Sequence, residues 1–235
     1  MSFAPVGLLE GTVPVVANPT GYAFIPRTAS NWIQNPAADT FTPTSTLELT
    51  ARFALELPLP GNCSIAEAWL TAGNRWIWRF GSTNMISLLW NQAAATQTRT
   101  ATTAWPYANG VWGWLRTTLT LNNGSSQNVV RNEVSQNGAN WSLLQADIVT
   151  GGVASMDSVS ATLTVGNRGG TPGALGLKGW ISDLLVKYDG TTRFEMHLQQ
   201  NLSGVAVGAA TFTVTSGQVV SVSRSGSPAL VLTPP

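Results

Sequence analysis

Along most of this chain apolar and polar residues alternate with a period of two, the pattern of strands buried on one face. Leu47, Leu49, Ala51, Phe53 and Leu55 share one side of such a segment, with Glu48, Thr50, Arg52 and Glu56 on the other. Trp76, Trp78 and Phe80 oppose Arg75, Ile77 and Arg79, and the same phase recurs at Ile86, Leu88 and Trp90 and at Leu115, Leu119 and Leu121. Phe194, Met196 and Leu198 align, leaving Glu195, His197 and Gln199 outward. No segment carries a sustained 3.6-residue stripe. Pro58, Pro60, Pro106 and Pro172, together with Gly61, Gly73, Gly110, Gly124, Gly138 and Gly151, punctuate the runs. The pattern predicts an all-β fold, an antiparallel two-sheet jelly-roll sandwich with very little helix. One segment resists strict alternation: Trp180, Leu184 and Val186 fall opposite Ile181 and Leu185. The first set is assigned to the core, as are Trp76, Trp78, Trp90 and Trp141.

The ends read differently from the middle. Residues 1–20 form an extended arm rich in Pro, Gly and small apolar residues. It is expected to be held by contact, on its own sandwich or on a neighbour, rather than by its own secondary structure. Residues 21–200 carry the sandwich pattern, and residues 201–235 offer further strands that complete the sandwich or append to it. No basic n-region precedes the apolar residues of the arm, and Pro5, Gly7, Gly11 and Pro14 interrupt it, so it reads as neither a signal peptide nor a membrane span.

Composition narrows the chemistry. Charged residues are 10% of the chain, against about 25% in an average protein, yet hydrophobic residues are 43%, which is not the balance of a disordered segment. The net charge is +1 with no basic run, which argues against a nucleic-acid partner. The lone Cys63 cannot form an intrachain disulfide and reads as a small structural residue, and the lone His197 cannot build a multi-histidine site.

Several stretches resemble a known family. Trp114-Leu115-Arg116 running into Leu119-Thr120-Leu121-Asn122-Asn123-Gly124 looks like a long strand ending in a hairpin turn. Ser135-Gln136-Asn137-Gly138-Ala139-Asn140-Trp141 is similar to a Ser-x-Asp-Gly-x-x-Trp loop, with Asn137 where Asp is usual. Its Asn-Gly pair suits a type I′ turn. Leu163-Thr164-Val165-Gly166 and Gly179-Trp180-Ile181 resemble the last core strands, and Trp78-Arg79-Phe80-Gly81 and Leu88-Leu89-Trp90 the first-half strands. In this order they resemble the concanavalin A-like lectin/glucanase, or laminin-G-like, jelly roll. The version they are most similar to is that of small virion proteins of tailed phages infecting actinobacteria. The resemblance implies a structural protein on the virion surface, made without a signal peptide. A minor tail protein of the adsorption apparatus is preferred over a capsid decoration protein. Its implied partners are other virion subunits, in a homo-oligomer or symmetric assembly. A lectin-like module binding a host cell-wall glycan is the alternative. Asn122 and Thr120 stand where acidic residues are common, which weakens a calcium site.

Catalysis has little to stand on. Glucanases of this fold use paired carboxylates on one strand, and no two of the eleven acidic residues lie at i, i+2 spacing. Gly166-Asn167-Arg168-Gly169-Gly170 reads as a turn rather than a phosphate loop. The chain is therefore read as a non-enzyme with no cofactor and no metal. The ten tryptophans remain. Trp and Tyr offer large rigid area with one polar handle, suited to sugar rings and protein interfaces. Trp32, Trp105, Tyr107 and Trp112 are the candidate glycan or partner contacts, Trp105-Pro106-Tyr107 in a loop and Trp112 with Trp114 on the face opposite Leu115 and Leu119.

Overall fold

The computed structural model describes residues 20–25, 31–35, 39–41, 43–59, 61–71, 74–81, 83–93, 95–151, 156–157, 159–167, 176–206, 209–224 and 231–233. The N-terminal arm therefore lies outside the described residues, apart from Thr20. In chain order the strands are β1 (Tyr22–Ile25), β2 (Asn31–Gln34), β3 (Asp39–Phe41), β4 (Thr46–Leu55), β5 (Cys63–Thr71), β6 (Asn74–Phe80), β7 (Met85–Gln92), β8 (Ala95–Ala104) and β9 (Gly113–Thr120). They continue as β10 (Gln127–Ser135), β11 (Ser142–Leu143), β12 (Ile148–Gly151), β13 (Val159–Val165), β14 (Gly179–Tyr188) and β15 (Thr191–His197). The short helix α1 (Leu198–Asn201) precedes β16 (Thr211–Thr213), β17 (Val219–Arg224) and β18 (Val231–Thr233).

Among the described residues all pairings are antiparallel and build two sheets. Sheet A runs β11-β10-β9-β4-β14-β1-β18, with β12 also on β10 and β15 also on β14. Sheet B runs β16-β17-β2-β13-β5-β6-β7-β8, with β3 also on β13. The chain crosses repeatedly between the sheets, and β18 returns to lie beside β1. That wrapping is a jelly-roll sandwich, as the alternation predicts. Among the described residues no helix is long and apolar enough to cross a membrane.

The core is the space between the inward faces. Leu47, Leu49, Ala51, Phe53 and Leu55 meet Trp76, Trp78, Phe80, Leu88 and Trp90, all buried. Cys63 begins β5 and is buried in the same core. Three indoles here carry an N–H that needs an acceptor, since an unpaired buried donor costs about 1–3 kcal/mol. Trp78 Nε1 donates across the sandwich to Thr117 Oγ1 at 2.9 Å, and Thr117 donates to Asn132 Oδ1 at 2.7 Å. Trp76 Nε1 donates to Tyr188 Oη at 3.0 Å. Trp90 Nε1 donates to Gln92 Oε1 at 3.3 Å, an oxygen that also accepts from Asn128 Nδ2 at 2.8 Å. The two sheets are thus tied by polar bridges as well as by apolar packing.

The ambiguous segment resolves through a β-bulge. Ile181 pairs with Phe53 and Asp183 with Arg52, so Ser182 is an extra residue and the face of β14 switches there. Ile181, Leu184, Val186 and Tyr188 all point inward and are buried, while Trp180 and Leu185 are only half-buried. The inward assignment of Trp180 is therefore corrected. Trp141 is also half-buried rather than core. Gly179, just before the bulge, admits no side chain: a Cβ there would sit 2.1 Å from the Ala54 carbonyl oxygen. The Asn-Gly turn is corrected too. Gly138 has φ +75°, but Asn137 is not among the positive-φ residues, as a type I′ turn would require. Asn137 acts through its side chain instead: Oδ1 accepts from the N–H groups of Ala139 and Asn140, both at 2.9 Å.

Candidate functional site

The outer face of sheet A gathers aromatic and charged side chains in one field. β9 turns Leu115, Thr117 and Leu119 to the core, so Trp114, Arg116, Thr118 and Thr120 face out. β4 contributes Glu48 and Arg52, and β14 contributes Trp180, Asp183 and Lys187. β1, with Ala23 and Ile25 inward, turns Tyr22 and Phe24 outward. Phe24 and Trp180 lie 5.2 Å apart between ring centroids, and Tyr22 and Trp112 lie 6.0 Å apart. The Arg52 guanidinium sits over both Trp112 and Trp114, at 5.5 and 5.9 Å. Burial pulls the Arg52 guanidinium below its ordinary range, and the Asp183 carboxylate opposes that. Tyr22, Gly110, Trp112 and Trp180 enclose a cavity of about 240 Å³. Such rings give rigid apolar area that loses little side-chain entropy when covered.

The same face is laced with ion pairs. Arg116 stacks on Trp141 at 4.3 Å and donates to Glu133 at 2.8 Å. Arg131 holds Asp147 in a two-bond fork at 2.9 and 2.8 Å, and these hydrogen bonds depress the Asp147 carboxyl despite its partial burial. Glu48, Arg116, Arg131, Glu133 and Asp147 border a second cavity of about 490 Å³. At the β14–β15 end, the His197 imidazole lies between two carboxylates: Nδ1 is 2.8 Å from Asp183 Oδ1 and Nε2 is 3.0 Å from Glu195 Oε1. Burial alone would lower its pKa, but the two carboxylates outweigh burial and raise it. The nearby Ser182 hydroxyl donates to Asp183 Oδ2, not to the imidazole. Among the described residues no nucleophile is aligned on this base, and both imidazole nitrogens are occupied. Among the described residues no group of three or more His, Cys, Asp or Glu has the geometry of a metal site.

A third cavity, of about 500 Å³, opens at the rim of the sandwich between the loop after β8 and the loop after β10. Tyr107, Ser135, Gln136, Asn137, Asn140 and Ser142 line it with hydroxyls and amides, and none of its described lining residues is charged. Its loop wall is held by the Asn137 bonds described above and by Ser135 Oγ, which accepts from Gly138 N at 3.0 Å. Trp114 covers that wall: a Cβ at Gly138 would lie 2.9 Å from its ring.

The four aromatic candidates do not share one surface. Trp105 is 5% exposed and packs on Phe53, Phe80 and Tyr107, at 4.8, 5.9 and 4.8 Å, so it plugs the end of the core and offers no platform. Its expected role as a contact is corrected: the loop it occupies folds back between the sheets. Tyr107 is half-buried at the rim, where burial raises its phenol pKa. Trp112 lies on the outer face of sheet A. Trp32 alternates outward from Asn31 and Ile33 on β2, placing it on the outer face of sheet B, across the molecule. Tyr22, Phe24, Arg52 and Trp180, none of them a candidate from the sequence, are the companions of Trp112. The Tyr22/Phe24 alternation was a usable signal; the bulge that turns Trp180 outward was not.

No family model and no curated protein matches this chain. Among solved structures it is similar to a heptameric SAP-like pentraxin from Limulus polyphemus, with TM-score 0.47 and 14% identity over 73% of this chain and 77% of that one. It is similar to domains LG4-5 of the mouse laminin alpha1 chain, with TM-score 0.48 and 9% identity over 80% of this chain and 48% of that one. It is also similar to the CBM40 of a Ruminococcus gnavus IT-sialidase bound to alpha2,3 sialyllactose, with TM-score 0.45 and 13% identity over 71% and 90%.

Proposed function

We propose that this chain is a non-catalytic structural protein displayed on the surface of a tailed-phage virion, of the minor tail protein kind, and that the outer face of sheet A is its contact surface. The observation that supports this reading is the half-buried aromatic group of Tyr22, Phe24, Trp112, Trp114 and Trp180 around Arg52. Trp, Tyr and Arg are the residues that anchor interfaces, and ion pairs such as Arg131–Asp147 form the polar rim that surrounds such anchors. The sequence resemblance supports the virion setting. Trp112→Ala together with Trp180→Ala is expected to leave the fold intact and to reduce incorporation into purified particles by about 30-fold, the effect of losing about 2 kcal/mol at an anchor. Particles that lack the chain, or that take up the double variant as well as the wild type, would overturn the reading.

A second reading is favoured by the uncharged rim cavity. Neutral amides and hydroxyls beside a tyrosine suit a neutral polyhydroxylated ligand such as a cell-wall sugar. The same purified chain on a glycan array separates the two, because binding lost with Asn140→Ala and kept in the double tryptophan variant belongs to the rim.

A further inference from the structure

We infer that the free edge of β8 pairs with β8 of a second copy, joining two B sheets across a two-fold axis at Thr98. β8 pairs with β7 on one side, and no described strand lies on its other side. It runs for ten residues, of which six are exposed, three are half-buried and only Ala101 is buried. Long exposed edges are normally blunted by Lys, Pro or acidic residues. From Ala95 to Ala104 there is none of these, and Arg99 is the single charge.

The direction of the edge groups follows from the neighbouring hairpin. Gly81 N donates to Met85 O at 2.8 Å, so odd-numbered residues of β7 bond toward β6. Leu88, Trp90 and Gln92 then bond toward β8, to Arg99, Gln97 and Ala95. The backbone N–H and C=O groups of Thr96, Thr98 and Thr100 therefore point away from β7. Consistent with this, the Arg99 side chain reaches the Thr98 carbonyl at 2.7 Å. A carbonyl has a second lone pair and can accept again. At the far end Gln145 Oε1 takes the Thr102 N–H, so the usable edge stops there. What remains, Thr96 to Thr100, is centred on Thr98.

That symmetry selects the occupant. In an antiparallel two-fold pairing about Thr98, Thr96 meets Thr100 of the second copy and Thr98 meets its own image. Each such pair exchanges two backbone hydrogen bonds, and threonine opposite threonine is a favourable cross-strand pair. Gln97 falls opposite Arg99 of the second copy, so no like charges meet; centring on Arg99 would put the two guanidinium groups face to face. The Arg99 guanidinium is also drawn back toward Trp90, 5.9 Å from its ring. The result is a closed isologous dimer with a continuous sheet. It uses neither the aromatic face nor the rim cavity and stands apart from the function proposed above.

Sedimentation velocity of the isolated full chain across a hundredfold range of concentration should show a monomer–dimer equilibrium. Thr98→Lys, which sets two ammonium groups on the axis, should leave only monomer, with the melting temperature the wild type shows when diluted to monomer. Thr98→Cys should give a disulfide-linked dimer under mild oxidation, whereas Thr213→Cys, on the opposite edge of the same sheet, should not. A chain that is monomeric throughout, or a dimer that survives Thr98→Lys, or equal cross-linking of the two cysteine variants, would overturn the inference.

Discussion

Trp78→Ala is expected to destabilise the folded chain by about 3–5 kcal/mol, read as a shift of the urea denaturation midpoint. The ring is fully buried between the sheets, so its removal leaves a large cavity in a close-packed interior. It also strands the Thr117–Asn132 pair that the indole N–H joins. Thr117→Val isolates the polar part. The substitution is nearly isosteric, and it removes both the acceptor for Trp78 and the donor to Asn132, at an expected cost of about 1–3 kcal/mol. The two changes share one bond, so together they should cost less than the sum of each alone. A Trp78→Ala effect below about 1 kcal/mol would mean the two sheets do not close on this ring.

The same residue shows what alternation can and cannot reveal. Trp76, Trp78 and Phe80 were legible as core because a two-residue period forces three large apolar residues onto one face, with arginines on the other. Leu115 and Leu119 were legible for the same reason. The period says nothing of Thr117 between them, a polar residue in an inward position whose partner lies on the opposite sheet. Nor does it register an extra residue. Ser182 is small and polar and looks like any outward position, yet it shifts the phase of β14 and sends Trp180 to the surface. The register of β14 is set by pairing to β4 on one side and to β1 and β15 on the other, and β4 and β1 are distant in sequence.

The candidate site was legible in fragments. Trp112 and Trp114 stood out because they oppose Leu115 and Leu119. Their companions come from strands far apart in the chain: Tyr22 from β1, Arg52 from β4, Trp180 from β14. Only the sheet order places these side by side. Trp105 illustrates the opposite failure. A Trp-Pro-Tyr loop between strands looks exposed, but loops at the end of a sandwich can fold inward to seal it, and Phe53 and Phe80 supply the apolar wall that draws Trp105 in. His197 read as an ordinary strand residue, because Asp183 reaches it only through the β14–β15 pairing.

Asp189→Ala should cost about 1.5 kcal/mol at neutral pH, and the loss should fade in acid. Asp189 and Gly190 form the two-residue turn between β14 and β15, with φ of +49° and +76° at these two positions, as a type I′ turn requires. The carboxylate also gathers the start of β4: it accepts from the backbone N–H groups of Thr44, Ser45 and Thr46, at 2.9, 2.7 and 2.8 Å, and from the Thr44 and Ser45 hydroxyls. Burial would raise its pKa, but these donors outweigh burial and hold it well below the usual carboxylate range. Hydrogen bonds to a charged group contribute about 1.5–3 kcal/mol, and exposure to solvent places this group at the lower end. A depressed folded-state pKa stabilises fully above the unfolded value of about 3.9 and progressively less as pH falls below it. The stability gap between the wild type and Asp189→Ala should therefore be constant from about pH 5 upward and narrow below about pH 4. Asp189→Asn keeps an acceptor oxygen and tolerates positive φ, so it should be milder than alanine and lack the acid-sensitive component. Chemical denaturation of the three proteins at pH 7 and pH 3 checks this, and a gap that stays the same at both values would show that the charge of Asp189 contributes nothing.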